Sequence, residues 1–342
     1  MSISYRTRQR FKRFFSTVAV LLAIAVFIWL CWLLWLDRYI VYDRDYGARL
    51  DFDLPPLSSE GEHLSATVKP TVSVIIRDPQ DPDKPTVDIT EKPISGYHID
   101  FDAVIADMDA VKARIAPLPA GTAVLLDVKH PLGYFYYSSA FGHSYDSVID
   151  PALFDAFVDY LNARDLHVIA RLPAFRDRQF GLNHIPHGIS YQGGGGALWL
   201  DSGNCFWLKP NSEIVQQNLI GITKELRNLG FDEVVFTDFS LPDSDKIIFN
   251  DDPVTAISDA AQLLVDTCAT DTFWVSFTGS SAFPLPEGNA RLYLENIPAA
   301  DIQFVVEQIV TDAPDKHILF YATGHDTRFD DYCVLRPLQF AQ

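Results

Sequence analysis

From about residue 94 to the C-terminus the chain alternates short apolar runs with amphipathic helical stretches, and this rhythm constrains the fold more than any other feature. Candidate strands fall at 96–99, 123–128, 166–170, 233–237, 273–277, 291–294 and 318–321. Val124-Leu125-Leu126 and Ile318-Leu319-Phe320 are apolar on both faces, as expected of parallel strands buried on both sides. Asp150-Pro151 and Asp252-Pro253 each place an N-cap before a proline at the first helical position, where the missing N–H costs nothing. Phe154, Phe157, Val158 and Leu161 share a face behind the first signal, and Val254, Ile257, Ala261, Leu264 and Val265 behind the second. Asn211 is the expected cap of a third helix, with Ile214, Val215, Leu219, Ile222, Leu226 and Leu229 on its apolar face and Gly230 at its C′ position.

Strand and helix in turn over about 250 residues point to a (β/α)8 barrel or a doubly wound sheet. No G-x-G-x-x-G follows the first strand, which weighs against a dinucleotide fold, and the run Gly193-Gly194-Gly195-Gly196 precedes a strand, so it reads as a loop. The stretches 278–290 and 322–332 are too short and too rich in Pro and Gly for ordinary crossover helices. The expected fold is therefore α/β, a TIM-like (β/α)8 barrel over residues 94–342 that is irregular in its second half.

The N-terminus is a different object. Residues 1–13 hold Arg6, Arg8, Arg10, Lys12 and Arg13 and no acid, and residues 14–36 carry no charge. At about 1.5 Å per residue that uncharged run is long enough for a hydrocarbon core of about 30 Å. A cleaved signal peptide would have a shorter apolar core and a small-residue cleavage site. Here Trp35-Leu36-Asp37-Arg38-Tyr39 follows. The expectation is an uncleaved transmembrane signal anchor in the cell membrane, single-pass, with the basic tail cytoplasmic and the rest extracytoplasmic. Residues 37–93, rich in Asp, Pro and Ser, read as a stalk, with 72–76 as a strand candidate within it.

Charge and composition narrow the partners. The whole chain is −18, but without the basic tail 22 basic residues face 45 acids, a net −23. Such a domain lacks the basic face of a nucleic-acid binder. An apolar content of 48% excludes a disordered chain, and four cysteines in 342 residues exclude a disulfide-rich scaffold. Cys205, Cys268 and Cys333 fit either one disulfide with a spare thiol or three buried thiols. His184 and His187 stand at H-x-x-H spacing, but Pro186 lies between them and no third ligand is near, so they read as surface polar residues. No cofactor and no metal is implied, and oligomeric state is not encoded legibly.

In a barrel, function lies at the C-terminal ends of the strands. There stand Asp127-Val128-Lys129-His130, Arg171, Phe175-Arg176-Asp177, Thr237-Asp238, Ser276 with Thr278, Glu295-Asn296 and Thr323-Gly324-His325-Asp326. Glycoside hydrolysis requires one carboxylic acid to protonate the leaving oxygen and a second carboxylate as nucleophile or base. Asp127, Asp238 and Glu295 are the candidates. Each could equally cap a helix or pair locally, Asp127 with Lys129 or Arg171. Lys129, Arg171, Asp177, Tyr134 and Trp207 are candidate substrate contacts. Aromatic faces such as Tyr134 and Trp207 can stack on sugars, and they can equally pack beneath long loops.

Three segments carry a resemblance: Val124-Leu125-Leu126-Asp127-Val128-Lys129-His130-Pro131-Leu132-Gly133-Tyr134, Val168-Ile169-Ala170-Arg171-Leu172-Pro173-Ala174-Phe175-Arg176-Asp177, and Leu229-Gly230-Phe231-Asp232-Glu233-Val234-Val235-Phe236. In order and spacing they resemble a glycosyl hydrolase domain family of bacterial envelope proteins, over roughly residues 94–242. The resemblance implies an α-amylase-like TIM barrel acting on carbohydrate. This chain departs from the family where Phe-Asp-Tyr is expected, reading Phe236-Thr237-Asp238. On a strand, a shift of one position points the acid to the opposite face unless a bulge or the strand's end turns it back. Ser240 and Leu241 stand where the family has Arg-Phe, and the fifth strand has no carboxylate. Two readings follow: a membrane-anchored glycoside hydrolase acting on envelope or extracellular polysaccharide, or a catalytically inactive barrel that binds glycan or an envelope partner.

Overall fold

The alternation closes on itself. The computed structural model describes residues 40–43, 47–50 and 93–338. In the unit Asp83–Gln342, eight parallel strands form a closed barrel. They are β1 (Ser95–Ile99), β2 (Ala123–Asp127), β3 (His167–Pro173), β4 (Glu233–Thr237), β5 (Trp274–Thr278), β6 (Leu292–Glu295), β7 (Ile318–Tyr321) and β8 (Cys333–Pro337). Each pairs with the next, and Leu335 of β8 lies opposite Gly96 of β1 to complete the ring. Gly96 is required there, because a Cβ would fall 1.8 Å from the Ala123 carbonyl oxygen. The sequence reading anticipated seven of these strands; β8 was missed.

The helices that clothe the first half are α1 (Phe101–Ala106), α2 (Met108–Ile115), α3 (Pro151–Asn162), α4 (Arg178–Asn183), α5 (Glu213–Asn228) and α6 (Pro253–Cys268). Asp150 and Asp252 cap α3 and α6, accepting from Ala152 N–H at 3.0 Å and Thr255 N–H at 2.8 Å. Asn211 does not cap α5. Ser212 occupies that position, and the Asn211 amide donates to Asp251 at 2.7 Å. Gly230 ends α5 with φ +96°, and the next N–H, of Phe231, returns to the Leu226 carbonyl at 3.2 Å. The second half is thin. α7 (Ile302–Val306) and α8 (Pro314–His317) are short, and only a 3-10 turn, Thr327–Phe329, joins β7 to β8.

In the unit Met1–Pro82, the described residues are a hairpin of Ile40–Asp43 against Gly47–Leu50, antiparallel, inside the segment expected to be an irregular stalk. The expected anchor, residues 14–36, and the strand candidate at 72–76 lie outside the described residues. Among the described residues no helix is long and apolar enough to cross a membrane.

Period-two alternation sorts the barrel strands into an outer and an inner set. Outward residues such as Val124, Val168, Val234 and Val275 pack under the helices. Inward residues Leu125, Ile169, Val235, Leu319 and Leu335 fill the middle of the barrel. Beneath them lies a buried polar cluster. Glu233, with no exposed surface, accepts from Ser276 Oγ (2.6 Å), Tyr293 Oη (2.9 Å), His167 Nε2 (3.2 Å) and the Arg291 guanidinium. Arg291 also lies over the Trp274 ring at 3.8 Å. Cys205, Cys268 and Cys333 are three buried free thiols.

Burial opposes ionisation of Glu233, but Arg291, His167 and Ser276 prevail and bring its carboxyl down to about 2 from the usual 4.5. Because the folded value is the lower one, this stabilisation is complete above pH 4.5 and is lost as the pH falls toward 2. Glu233→Gln should lose about 3–5 kcal/mol at neutral pH in urea unfolding, since it leaves a buried guanidinium without its counter-charge. It should also flatten the acid limb of the stability curve. A variant as stable as the parent, with the same acid limb, would show that the cluster is not a keystone.

Candidate active site

The inward positions at the C-terminal ends of the strands form the top layer. His98 comes from β1, Asp127 from β2, Arg171 from β3, Glu295 from β6 and Tyr321 from β7. Asp127 and Arg171 are directly opposite in the β2–β3 register. The guanidinium engages the carboxylate through both oxygens, Nε to Oδ1 at 2.6 Å and Nη2 to Oδ2 at 3.1 Å. Its Nη1 faces Glu295 Oε1 at 3.6 Å. One guanidinium thus spans two carboxylates, which places their nearest oxygens no more than about 9 Å apart.

His98, absent from the sequence reading, sits between Tyr321 Oη (3.0 Å from Nδ1) and Asp127 Oδ2 (3.3 Å from Nε2). Burial raises the Tyr321 hydroxyl's pKa, so it keeps its proton beside His98. Asp127 is half-buried. Burial works against its charge, but the bonds from His98 and Arg171 outweigh this and hold its pKa below the ordinary value.

Asp238 follows the last residue of β4. Since Val235 points inward, strict alternation would send residue 238 outward. The chain instead adopts φ +50° at Asp238, a left-handed conformation that Asp tolerates better than most residues. This turn brings the carboxyl into the field of Arg176, Asp201, Arg171 and Glu295. Burial raises its pKa. Asp201 and Glu295 push the same way, and Arg176 and Arg171 oppose them. Asn296, next to Glu295, is also left-handed at φ +59°. The two strand ends that flank this region from β4 and β6 therefore both turn sharply. Left-handed non-glycine residues of this kind gather at functional sites.

The remaining sequence candidates divide. Tyr134 is half-buried, stacked on Tyr145 with ring centroids 4.8 Å apart, and its Oη accepts from Gln179 at 3.3 Å. Lys129 and Asp177 were expected on substrate. They are instead 4% and 3% exposed and are paired with each other at 2.5 Å. Asp177 also caps α4 through Phe180 N–H at 2.8 Å. This buried pair ties the loop after β2 to the loop after β3. Trp207, also expected on substrate, is 9% exposed and donates Nε1–H to Asp201 at 3.1 Å. Asp201 in turn holds Arg176 at 2.6 Å. That pair was invisible in sequence because 25 residues and a loop separate its members. His184 Nδ1 donates to the Phe180 carbonyl at 3.1 Å, and His187 bonds Ser212 Oγ at 2.8 Å.

Residues 119–260 match the family model described as "Putative glycosyl hydrolase domain". Over this segment the chain resembles that family. The match contains β2, β3, β4 and every residue of the Asp127–Arg171 and Arg176–Asp201 pairs. Among solved structures, the chain is similar to the glycoside hydrolase domain of PgaB (BpsB) from Bordetella bronchiseptica. That match has 14% identity and a TM-score of 0.50, and covers 71% of this chain and 94% of that one. It is also similar to the glycoside hydrolase domain of PelA from Pseudomonas aeruginosa, at 12% identity, TM-score 0.45, 72% of this chain and 94% of that one. A hypothetical protein from Ruminiclostridium thermocellum shares 21% identity at TM-score 0.43, over 53% of this chain and 96% of that one. No curated protein matches the sequence.

In this barrel the two acids at the ends of β2 and β4 are driven in opposite directions, Asp127 down and Asp238 up. Carboxyl carbon chemical shifts followed by NMR should therefore show Asp238 protonating first as the pH falls and Asp127 last. The reverse order would mean that the Arg171 clamp or the burial of Asp238 is misassigned.

Proposed function

We propose that this chain is a glycoside hydrolase of extracytoplasmic polysaccharide, held at the cell membrane by residues 14–36. Asp238 supplies the proton to the leaving oxygen, and Glu295 is the second carboxylate. The observation that carries this is the left-handed turn at Asp238, whose half-buried carboxyl has a raised pKa and lies in the field of Arg171 and Glu295. A carboxyl that keeps its proton to higher pH is suited to general-acid work. Glu295 is the more exposed partner at 41% and faces the Arg171 cation. Its position at the end of β6, open to solvent, leaves room for water or a sugar. Asp127 then serves as a positioning residue. With Arg171 on both its oxygens and His98 on one, it fixes the guanidinium rather than attacking substrate.

The same clamp favours a second reading. Arg171 lies beside both Asp127 and Glu295, so the site can bind glycan hydroxyls by a charged network without turning substrate over. The anchor proposal draws on sequence alone, from the basic residues 1–13 and the uncharged run behind them.

Release of reducing ends from cell-wall and exopolysaccharide preparations decides between the two. Asp238→Asn and Glu295→Gln should each lower the rate by at least about 1,000-fold with the fold intact by circular dichroism. Asp127→Asn should lower it less and shift its pH dependence. Binding by the wild type with no turnover on any glycan would leave the non-catalytic reading standing.

A further inference from the structure

We infer that the loop between β2 and α3 forms a stacking subsite for a pyranose ring remote from the carboxylates, with Tyr134 as its platform and Glu225 as the positioning residue that holds the loop. This rests on the glycan-directed reading above and makes the ligand a chain of several sugars rather than a mono- or disaccharide.

Four rings form a ladder from the core to the surface. Phe101 and Tyr136 are stacked at 3.5 Å with 15° between planes. Tyr136 and Tyr145 follow at 6.3 Å and 14°, and Tyr145 and Tyr134 at 4.8 Å and 16°. The first two rings are buried, and the last two are partly exposed. The buried end borders the catalytic mouth: the Tyr136 N–H donates to the carbonyl of Val128, the residue after Asp127, at 3.0 Å. Tyr134 is the outermost ring, two stacking steps from Tyr136. A pyranose presents an apolar C–H face, and a tyrosine ring already ordered by stacking loses little freedom when it receives one.

The loop is pinned from outside its own sequence. Glu225 on α5 accepts from Tyr137 Oη at 2.8 Å, Ser139 Oγ at 2.7 Å and the Ala140 N–H at 2.7 Å. Phe141 rests on Gly221 of the same helix, where a Cβ would come within 2.3 Å of the ring. At the other end Gly133 adopts φ +94°, and a Cβ there would meet Asp177 Oδ1 at 2.6 Å. Tyr134, the next residue, accepts the His130 N–H at its carbonyl at 2.8 Å. Such fixing at both ends is what a binding platform needs and what a plain connecting loop does not.

The test uses the full chain carrying Asp238→Asn, so that nothing is cleaved, titrated by calorimetry with cello-oligosaccharides and chitin oligosaccharides of increasing length. Affinity should rise with length in this parent. Adding Tyr134→Ala should lower affinity for the longest oligomers by about tenfold and leave the shortest unaffected. Tyr134→Phe, which keeps the ring, should restore the rise. Glu225→Gln should reproduce part of the loss with an unchanged thermal midpoint, which a purely structural role would not do. A length-dependent affinity that survives Tyr134→Ala, or a parent whose affinity ignores length, overturns the subsite alone. No binding by the parent to any oligomer overturns the subsite together with the glycan-directed reading.

Discussion

A wholly buried carboxylate at the floor of the barrel organises the rest. Glu233 gathers donors from β3, β5 and β6 around a single position on β4, so four neighbouring strands share one polar knot. Such a cluster costs desolvation that a hydrocarbon floor would not. Its return is specificity of register. Sliding any of these strands by one residue would turn His167, Ser276 or Tyr293 outward and leave Glu233 buried without partners. The thin second half makes this more important, since α7 and α8 are too short to fix β6 and β7 from outside.

Much of this architecture could be read from sequence because its causes are local. Strands apolar on both faces, Asp-Pro helix starts and the C′ glycine at position 230 act within a few residues of themselves. β8 escaped because nothing local marks it. Cys333-Val334-Leu335 is brief, and the 3-10 turn before it carries no helical periodicity. Asn211 and Ser212 are both good cap residues, but neither side chain caps α5, because Asp251 takes the asparagine and His187 the serine hydroxyl. The site was legible only in part for the same reason. Asp127, Arg171 and Glu295 were found by their place at strand ends, but His98 and Tyr321 gain meaning only across 223 residues of chain. Lys129 and Asp177 carried the right chemistry for substrate and proved to be partners of each other, which spacing alone cannot distinguish.

At the top of the barrel the organising group is Arg171. Its guanidinium is planar and permanently charged, and it meets Asp127 along one edge while presenting Nη1 to Glu295. A lysine could neutralise one of these acids but could not hold both in a fixed plane. The consequence is asymmetric. Asp127, with three donors, is held ionised and fixed, whereas Glu295 retains a looser contact and more solvent. Arg176, the second cation near the mouth, is engaged by Asp201, so its field on Asp238 is partly offset. Burial therefore prevails at Asp238, and Asp127 and Asp238 are driven in opposite directions.

That difference depends on one backbone angle. A residue after an inward Thr237 belongs, by alternation, on the helix side of the sheet, where a carboxyl would be buried against Phe236 and the apolar outer layer. A positive φ at residue 238 breaks the alternation, and the carboxyl lies in the field of Arg171 and Glu295. The conformation is costly for most residues and cheapest for Gly, Asn and Asp. Only Asp among these also brings a titratable group. In the proposed function, the displacement of the acid by one position is compensated by a turn that the displaced residue is itself suited to make.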